Sequence, residues 1–405
     1  MALGLLSTGC RTQPWAGRLP EDVAVDAAID SAVPPLCGAP KPPPVTCHHC
    51  GLDFLPGIPV ATGDQFVLGD FNGDRVMDVV GSTGGGSVLL LGNGDGTFRT
   101  SPLATPSLLP VAAADLDGDG HFDLMVAGSY VLTNTDSGDF KLITGLSVLR
   151  GVGDGSFRAP LPFPIDNALS QLVAADLDGD GSIDLASVEQ PLAGGSLLAV
   201  RWGAGDGTFS VATPIEEGAG VTAIVAGDFS GDCRPDLGVT LSTGRAGALV
   251  YAGARRFTLG DTQPVLQGPW SLAAGDLNED GVLDLVVGDN TVPSTAHVDV
   301  LLGQGDARFA PSTSYESGFQ STGVAIADLD GDGHLDVVLG TVPANGTGPD
   351  TPLWMLVGNG KGTLAPPVSF GRYGAITQVA VADFNGDGRS DVLFTNDVLL
   401  AAAHH

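Results

Sequence analysis

Basic residues are scarce in this 405-residue chain. Lys and Arg number 17 against 47 Asp and Glu, for a formal charge of −30. That balance excludes a nucleic-acid binder, because phosphate recognition needs a cationic footprint. Only Lys41, Lys141 and Lys361 are lysines, and aromatic residues make up 6%. No apolar run reaches the roughly eighteen residues that a membrane-crossing helix requires. Turn-formers are abundant instead: 60 Gly and 28 Pro rule out a mostly helical protein. A hydrophobic content of 43% supports a packed core and excludes global disorder.

The acidic residues are clustered. Seven segments share the pattern D-x-[DNS]-x-D-x-x-x-D, starting at Asp70, Asp115, Asp176, Asp228, Asp276, Asp328 and Asp383. Each lies between two short apolar runs, such as Val111–Ala114 before the Asp115 segment and Val337–Leu339 after the Asp328 segment. Runs this short, bounded by Gly, read as buried strands. A third run follows and ends in a Gly-rich turn: GNGDGTF at Gly92–Phe98, GVGDGSF at Gly151–Phe157 and GAGDGTF at Gly203–Phe209. Weaker copies are GQGDARF at Gly303–Phe309, GNGKGTL at Gly358–Leu364 and a short GARRF at Gly253. Asp-Gly and Asn-Gly are hairpin chemistry, so the Phe is expected to open a fourth strand.

Four antiparallel strands per repeat of about 50 residues are the blade of a β-propeller. The expected fold is all-β: a seven-bladed β-propeller of four-stranded antiparallel blades. The seventh copy has no Gly-rich turn and no fourth strand. Residues 54–62 look like that missing strand, so an N-terminal strand is expected to close the ring. The expected organisation is a signal over 1–10, a Pro- and Asp-rich tether over 11–50 and the propeller over 51–400.

Loop positions 1, 3, 5 and 9 carry oxygen donors. They are Asp70, Asn72, Asp74 and Asp78; Asp115, Asp117, Asp119 and Asp123; Asp176, Asp178, Asp180 and Asp184; Asp228, Ser230, Asp232 and Asp236. The last three sets are Asp276, Asn278, Asp280 and Asp284; Asp328, Asp330, Asp332 and Asp336; Asp383, Asn385, Asp387 and Asp391. Alternate positions in a tight loop converge on one point, and several oxygens suit a hard cation, best Ca²⁺, at up to seven sites. Seven such ions would bring the formal charge from −30 to −16. The bland alternative is a set of Asp-rich turns, but carboxylates crowded in one loop repel unless neutralised. Position 6 needs a sharp turn. Arg75 and Cys233 replace Gly there, so the Asp70 and Asp228 loops are expected to bind weakest.

These repeats resemble the FG-GAP/VCBS-type calcium propellers, the fold of the integrin α-subunit head and of some fungal lectins. The resemblance covers about 350 of 405 residues. It implies Ca²⁺ in the loops joining the first two strands of each blade. It does not fix a ligand, because one fold hosts many functions.

Residues 1–10, MALGLLSTGC, resemble a bacterial lipoprotein signal in which Cys10 is lipidated. Export is therefore expected, to the cell surface or outer membrane as a lipoprotein or otherwise by secretion. Any membrane contact would be through that anchor. Cys47-His48-His49-Cys50 resembles half a zinc site, but a disulfide within the tail fits an exported protein better. Cys233 reads as a turn residue.

No Gly-x-Ser-x-Gly elbow, phosphate loop or His-Glu-x-x-His occurs. A carbohydrate-active enzyme such as a propeller-type polysaccharide lyase is the alternative to a binding module. The expected partner is an extracellular glycan or protein, and the assembly state is open. In a propeller, the face opposite the Asp loops carries the remaining connections. Here they include the longer insertions Ser129–Thr144, Glu189–Gly195, Asp289–Ala296 and Val342–Pro352. Tyr130, Trp270, Tyr315, Phe319 and Tyr373 are the candidate ligand residues there, since aromatic rings stack on sugars or anchor protein partners. The alternative for each is packing between blades.

Overall fold

The computed structural model describes residues 54–401 except 56, 61, 64, 84–85, 102, 104–107, 134–139, 164, 166, 192–193, 266–267, 290–296, 317–319, 343–350 and 374. Cys10, the tether, Cys37, Cys47 and Cys50 lie outside the described residues, as do Phe319 and the side chain of Tyr130.

Seven four-stranded antiparallel sheets follow one another around a ring. Blade 1 comprises Phe66–Gly69, Asp78–Thr83, Gly86–Gly92 and Phe98–Ser101. Blade 2 comprises Leu108–Ala114, Asp123–Thr133, Phe140–Leu149 and Leu161–Phe163. Blade 3 is Ala168–Ala175, Asp184–Gln190, Leu197–Arg201 and Thr213–Ile215; blade 4 is Val221–Gly227, Asp236–Leu241, Arg245–Gly253 and Arg256–Leu259. In blade 4 the outer strand is made in two pieces, because Gln263–Pro264 pairs the other end of Arg245–Gly253. Blade 5 is Pro269–Gly275, Asp284–Asp289, His297–Leu301 and Thr313–Glu316; blade 6 is Gln320–Ala327, Asp336–Val342, Thr351–Leu356 and Val368–Tyr373. Blade 7 has three strands of its own, Val379–Ala382, Asp391–Phe394 and Asp397–Leu399.

Ile58–Pro59 supplies blade 7 with its fourth strand, pairing Ile58 with Val398 and Pro59 with Asp397. The seam is reinforced on both sides. Leu55 N donates to Leu400 O at 2.9 Å, and Val60 N to Asn396 O at 2.8 Å. Gln378 of blade 7 grips the Phe66 backbone of blade 1, accepting from its N–H at 3.0 Å and donating to its carbonyl at 2.9 Å. The N-terminal strand thus closes the ring, which leaves no open sheet edge at the junction.

There is no single core. Each pair of neighbouring blades encloses its own apolar wedge, and the seventh wedge joins blade 7 to blade 1 through Phe384, Leu393, Phe66 and Leu68. Second strands are covered on both faces, which is why Asp284–Asp289 is buried along its whole length and has the apolar run Leu285–Val287 within it. The Phe of the Gly-rich turn does not open the outer strand in blades 2, 3 and 5. Phe157, Phe209 and Phe309 each make one isolated bridge that closes the turn. The outer strand begins a few residues later, at Leu161, Thr213 and Thr313.

Candidate metal centre

Each Asp loop joins the first strand of its blade to the second, and the seven are built alike. The carboxylate at position 1 accepts the N–H of position 6: Arg75 to Asp70 at 2.8 Å, Gly120 to Asp115 at 2.9 Å and Gly181 to Asp176 at 2.9 Å. The same bond joins Cys233 to Asp228 at 2.8 Å, Gly281 to Asp276 at 2.9 Å, Gly333 to Asp328 at 2.9 Å and Gly388 to Asp383 at 2.8 Å. Position 5 in turn accepts from the N–H of position 7, as in Asp332 from His334 at 2.8 Å.

This wrapping needs a left-handed residue at two places. Position 6 has positive φ in every loop, including Arg75 and Cys233, both at 67°. Position 4 does too, and Glu279 holds φ 60° there where the other loops have Gly. The expectation of strain at Arg75 and Cys233 is met. The demand at position 4 was missed, although the recurring Gly before the third donor was its signal. A non-Gly residue in this conformation costs about 1 kcal/mol.

Position 9 has a role that spacing did not reveal. Its carboxylate is buried in all seven blades and is already engaged by two parts of the backbone. Asp123 accepts from Leu116 N at 3.0 Å with one oxygen and from Gly151 N at 2.8 Å with the other. Asp336 accepts from Leu329 N at 2.9 Å and Gly358 N at 2.8 Å, and Asp391 from Phe384 N at 2.9 Å and Ala401 N at 2.7 Å. Position 9 therefore pins the loop to the far end of the third strand. Burial pushes these carboxyls up, to about 6 at Asp123 and Asp236 and to about 7 at Asp78, Asp184, Asp284, Asp336 and Asp391. The neighbouring loop aspartates add to the effect, as Asp70 and Asp74 do at Asp78. A cation at each loop would reverse the shift.

Position 2 is the other residue that spacing left unassigned. Phe71, Leu116, Leu177, Phe229, Leu277, Leu329 and Phe384 are all buried between blades. In five cases the carbonyl of this residue accepts an N–H from the next blade's Gly-rich turn. The donors are Gly155 to Phe71 at 2.9 Å, Gly207 to Leu116 at 3.1 Å, Ala307 to Phe229 at 2.9 Å, Gly362 to Leu277 at 3.0 Å and Gly96 to Phe384 at 3.0 Å. Loops and turns thus interlock on one face of the ring. The turn aspartates Asp95, Asp154 and Asp206 are not part of the donor set. Each accepts from a Thr or Ser two residues on, and that hydroxyl holds the carboxyl below its usual range.

Donor atoms gather within 4.8 Å of one another in three loops: Asp115, Asp117 and Asp123; Asp176, Asp178 and Asp184; Asp328, Asp330 and Asp332. These are the loops with four aspartates. In the loops with Asn at position 3 the amide satisfies its neighbour directly: Asn72 and Asn278 donate to Asp74 and Asp280 at 2.9 Å, and Asn385 to Asp387 at 3.2 Å. Hydrogen bonding there does part of what an ion would do. The donor chemistry of the three clusters, all carboxylate with free lone pairs, fits a hard divalent cation.

Cys233 is more than a turn residue, because it is disulfide-bonded. The chain's other cysteines are Cys10, Cys37, Cys47 and Cys50, so its partner lies outside the described residues.

On the opposite face, Trp270 starts the inner strand of blade 5 and is 57% exposed. Tyr315 and Tyr373 are corrected to packing residues. Tyr315 is half-buried beside the wedge between blades 5 and 6, and its hydroxyl accepts from Leu364 N at 3.1 Å. Tyr373 packs edge-on against Phe394 with 4.6 Å between ring centroids. Both rings gain more by filling the gap between sheets than by facing water.

A ring of seven four-stranded blades, with an Asp loop after each inner strand, defines a β-propeller with metal-type loops. Residues 70–126, 288–339 and 344–394 match the model of the FG-GAP-like repeat. Three stretches of the chain thus carry FG-GAP-like repeats, and they lie within a seven-bladed β-propeller. Among solved structures it is similar to BBS1N in its complex with ARL6DN, in crystals soaked with lead (TM-score 0.53, 12% identity, 86% of this chain and 97% of that one). The mercury-soaked crystal of the same complex gives a TM-score of 0.53 at 11% identity, over 86% and 96% of the two chains. That likeness is one of fold. No curated protein matches the sequence. Among the described residues no helix is long and apolar enough to cross a membrane.

Proposed function

We propose that the protein is an exported, calcium-binding propeller that works as a binding or adhesion module for a glycan or protein ligand. Calcium is structural in this reading. Bound to the folded state alone, it stabilises the ring and holds the position 1, 3 and 5 carboxylates ionised. The Asp115, Asp176 and Asp328 loops are the best-equipped holders, with the Asn- and Ser-containing loops behind them.

The observation that carries the binding role is Trp270, a large ring left in water on the face that the Asp loops do not occupy. An exposed aromatic at the mouth of a ring suits stacking on a sugar or anchoring a protein side chain. The disulfide at Cys233 supports an oxidising, extracytoplasmic location, as does the Cys10 lipoprotein-like signal. A protein ligand is supported by the BBS1N fold, which is seen in complex with another protein.

A glycan-array screen of the full chain in calcium, repeated with chelator, tests this. Calcium-dependent hits that vanish in Trp270→Ala establish a lectin. A blank array with retained capture of a surface protein, again lost in Trp270→Ala, establishes an adhesion module. Binding in neither format removes the proposal.

A further inference from the structure

The three loops with four aspartates are equivalent in sequence but not in surroundings. At the junction of blades 3 and 4 the Gly-rich turn is cut to Gly253-Ala254-Arg255-Arg256. The interlocking N–H that other junctions send to the position 2 carbonyl is not formed there to Leu177 among the described residues. Ala254 and Arg255 instead make a two-residue hairpin with φ of 51° and 59°, a conformation that favours Gly or Asn. The arginine retained at this strained place reaches across to the neighbouring loop. Its Nε donates to Asp178 Oδ2 at 2.9 Å, and a terminal nitrogen lies 3.7 Å from Asp180 Oδ2. The guanidinium is steadied by the Trp202 ring, 4.9 Å from its centroid.

The Asp176 loop differs from the other two in having a guanidinium within hydrogen-bond distance of a donor. Around the Asp115 loop, Arg150 and Arg158 form longer ion pairs with Asp117 and Asp119, at 3.8 and 3.9 Å. The Asp328 loop forms no ion pair with Arg or Lys among the described residues. Asp178 and Asp180 are the position 3 and 5 donors, so the guanidinium occupies the charge that an ion would neutralise.

We propose that Arg255 is a built-in counter-cation of the Asp176 loop, competing with calcium there, so that this loop binds the ion less tightly than its four aspartates alone would. The inference rests on the reading of the loops as cation sites. A positive charge already paired to two of the donors both repels an incoming ion and removes the repulsion that would draw it in.

Terbium is the probe, because Trp202 stands beside this loop and can sensitise its emission. The full chain is titrated with Tb³⁺ as wild type, Arg255→Gly and Ala254→Gly. Both substitutions relieve positive-φ strain, so folding is not put at risk, and only the first removes the guanidinium. Trp202→Phe identifies the part of the signal that comes from this loop. The midpoint of that part is expected to fall about tenfold in Arg255→Gly and to stay put in Ala254→Gly. In chelator, Arg255→Gly should also show a larger melting-point gain on adding calcium than Ala254→Gly does. Terbium binding with an unmoved or weakened midpoint in Arg255→Gly overturns the competition and leaves the loops as cation sites. No terbium or calcium response in any variant overturns both.

Discussion

On the face that carries the Asp loops, one scheme recurs seven times, with the position 6 to position 1 hydrogen bond between 2.8 and 2.9 Å throughout. On the opposite face the connections differ from blade to blade. Blade 4 turns tightly between Leu241 and Arg245, whereas in blade 2 the pairing runs on as far as Thr133 and Phe140. The regular face is fixed by buried carboxylates that hold backbone amides, so it tolerates little change. The irregular face places few demands on the ring and is free to vary. Stability is thus concentrated at one end of the strands, and the recognition proposed above would use the other.

The sharpest way to break this comparison is one substitution on each face. Asp336→Ala leaves the amides of Leu329 and Gly358 buried without an acceptor. It should cost about 3 kcal/mol or more in a denaturant melt. Trp270→Ala should shift the same melt by no more than about 0.5 kcal/mol while abolishing ligand capture. Equal losses of stability would mean that the two faces are not divided in this way.

Acidity gives the next effect. The seven position 9 carboxyls are raised in the folded protein to about 6 or 7, against about 3.9 in the unfolded chain. Their protonated form therefore favours folding. That contribution is complete below about pH 4 and is lost as the pH rises through about 7. In chelator the melting temperature should fall between pH 5 and pH 8, and calcium should recover it at the upper end by binding the ionised loops. A chelated protein that melts higher at pH 8 would show that the backbone amides outweigh burial.

The smallest effect is local. Arg75→Gly relieves positive φ at a solvent-exposed position 6 and should stabilise by about 0.5–1 kcal/mol. A loss instead would indicate that the Arg75 side chain holds the loop.

Much of this was legible in the chain because the signals are local. Asp spacing, Gly-Asp-Gly turns and short apolar runs each act over fewer than about a dozen residues, and repetition removes the ambiguity of any one copy. The missing outer strand of the seventh repeat even placed Ile58–Pro59 correctly. What escaped was set by contacts between distant residues. Asp123 meets Gly151 across 28 residues, and Arg255 meets Asp178 across 77. Tyr315 and Tyr373 looked available because their strands sit near loops, yet the wedges between blades claimed them.

The seam at blade 7 has a consequence for how the molecule is made. Gly63 N donates to Asn396 Oδ1 across 333 residues, so the earliest strand of the ring has no partner until the last blade has been synthesised. Hairpins within blades 2 to 6 can assemble as they emerge, but closure is the final event and carries the longest loop. A product stopping short of Asp397 would leave Ile58–Pro59 unpaired and Phe66, Phe384 and Leu393 without their shared wedge. The clasp therefore acts as a check on completeness: only a chain read through to its last blade can hide its first strand.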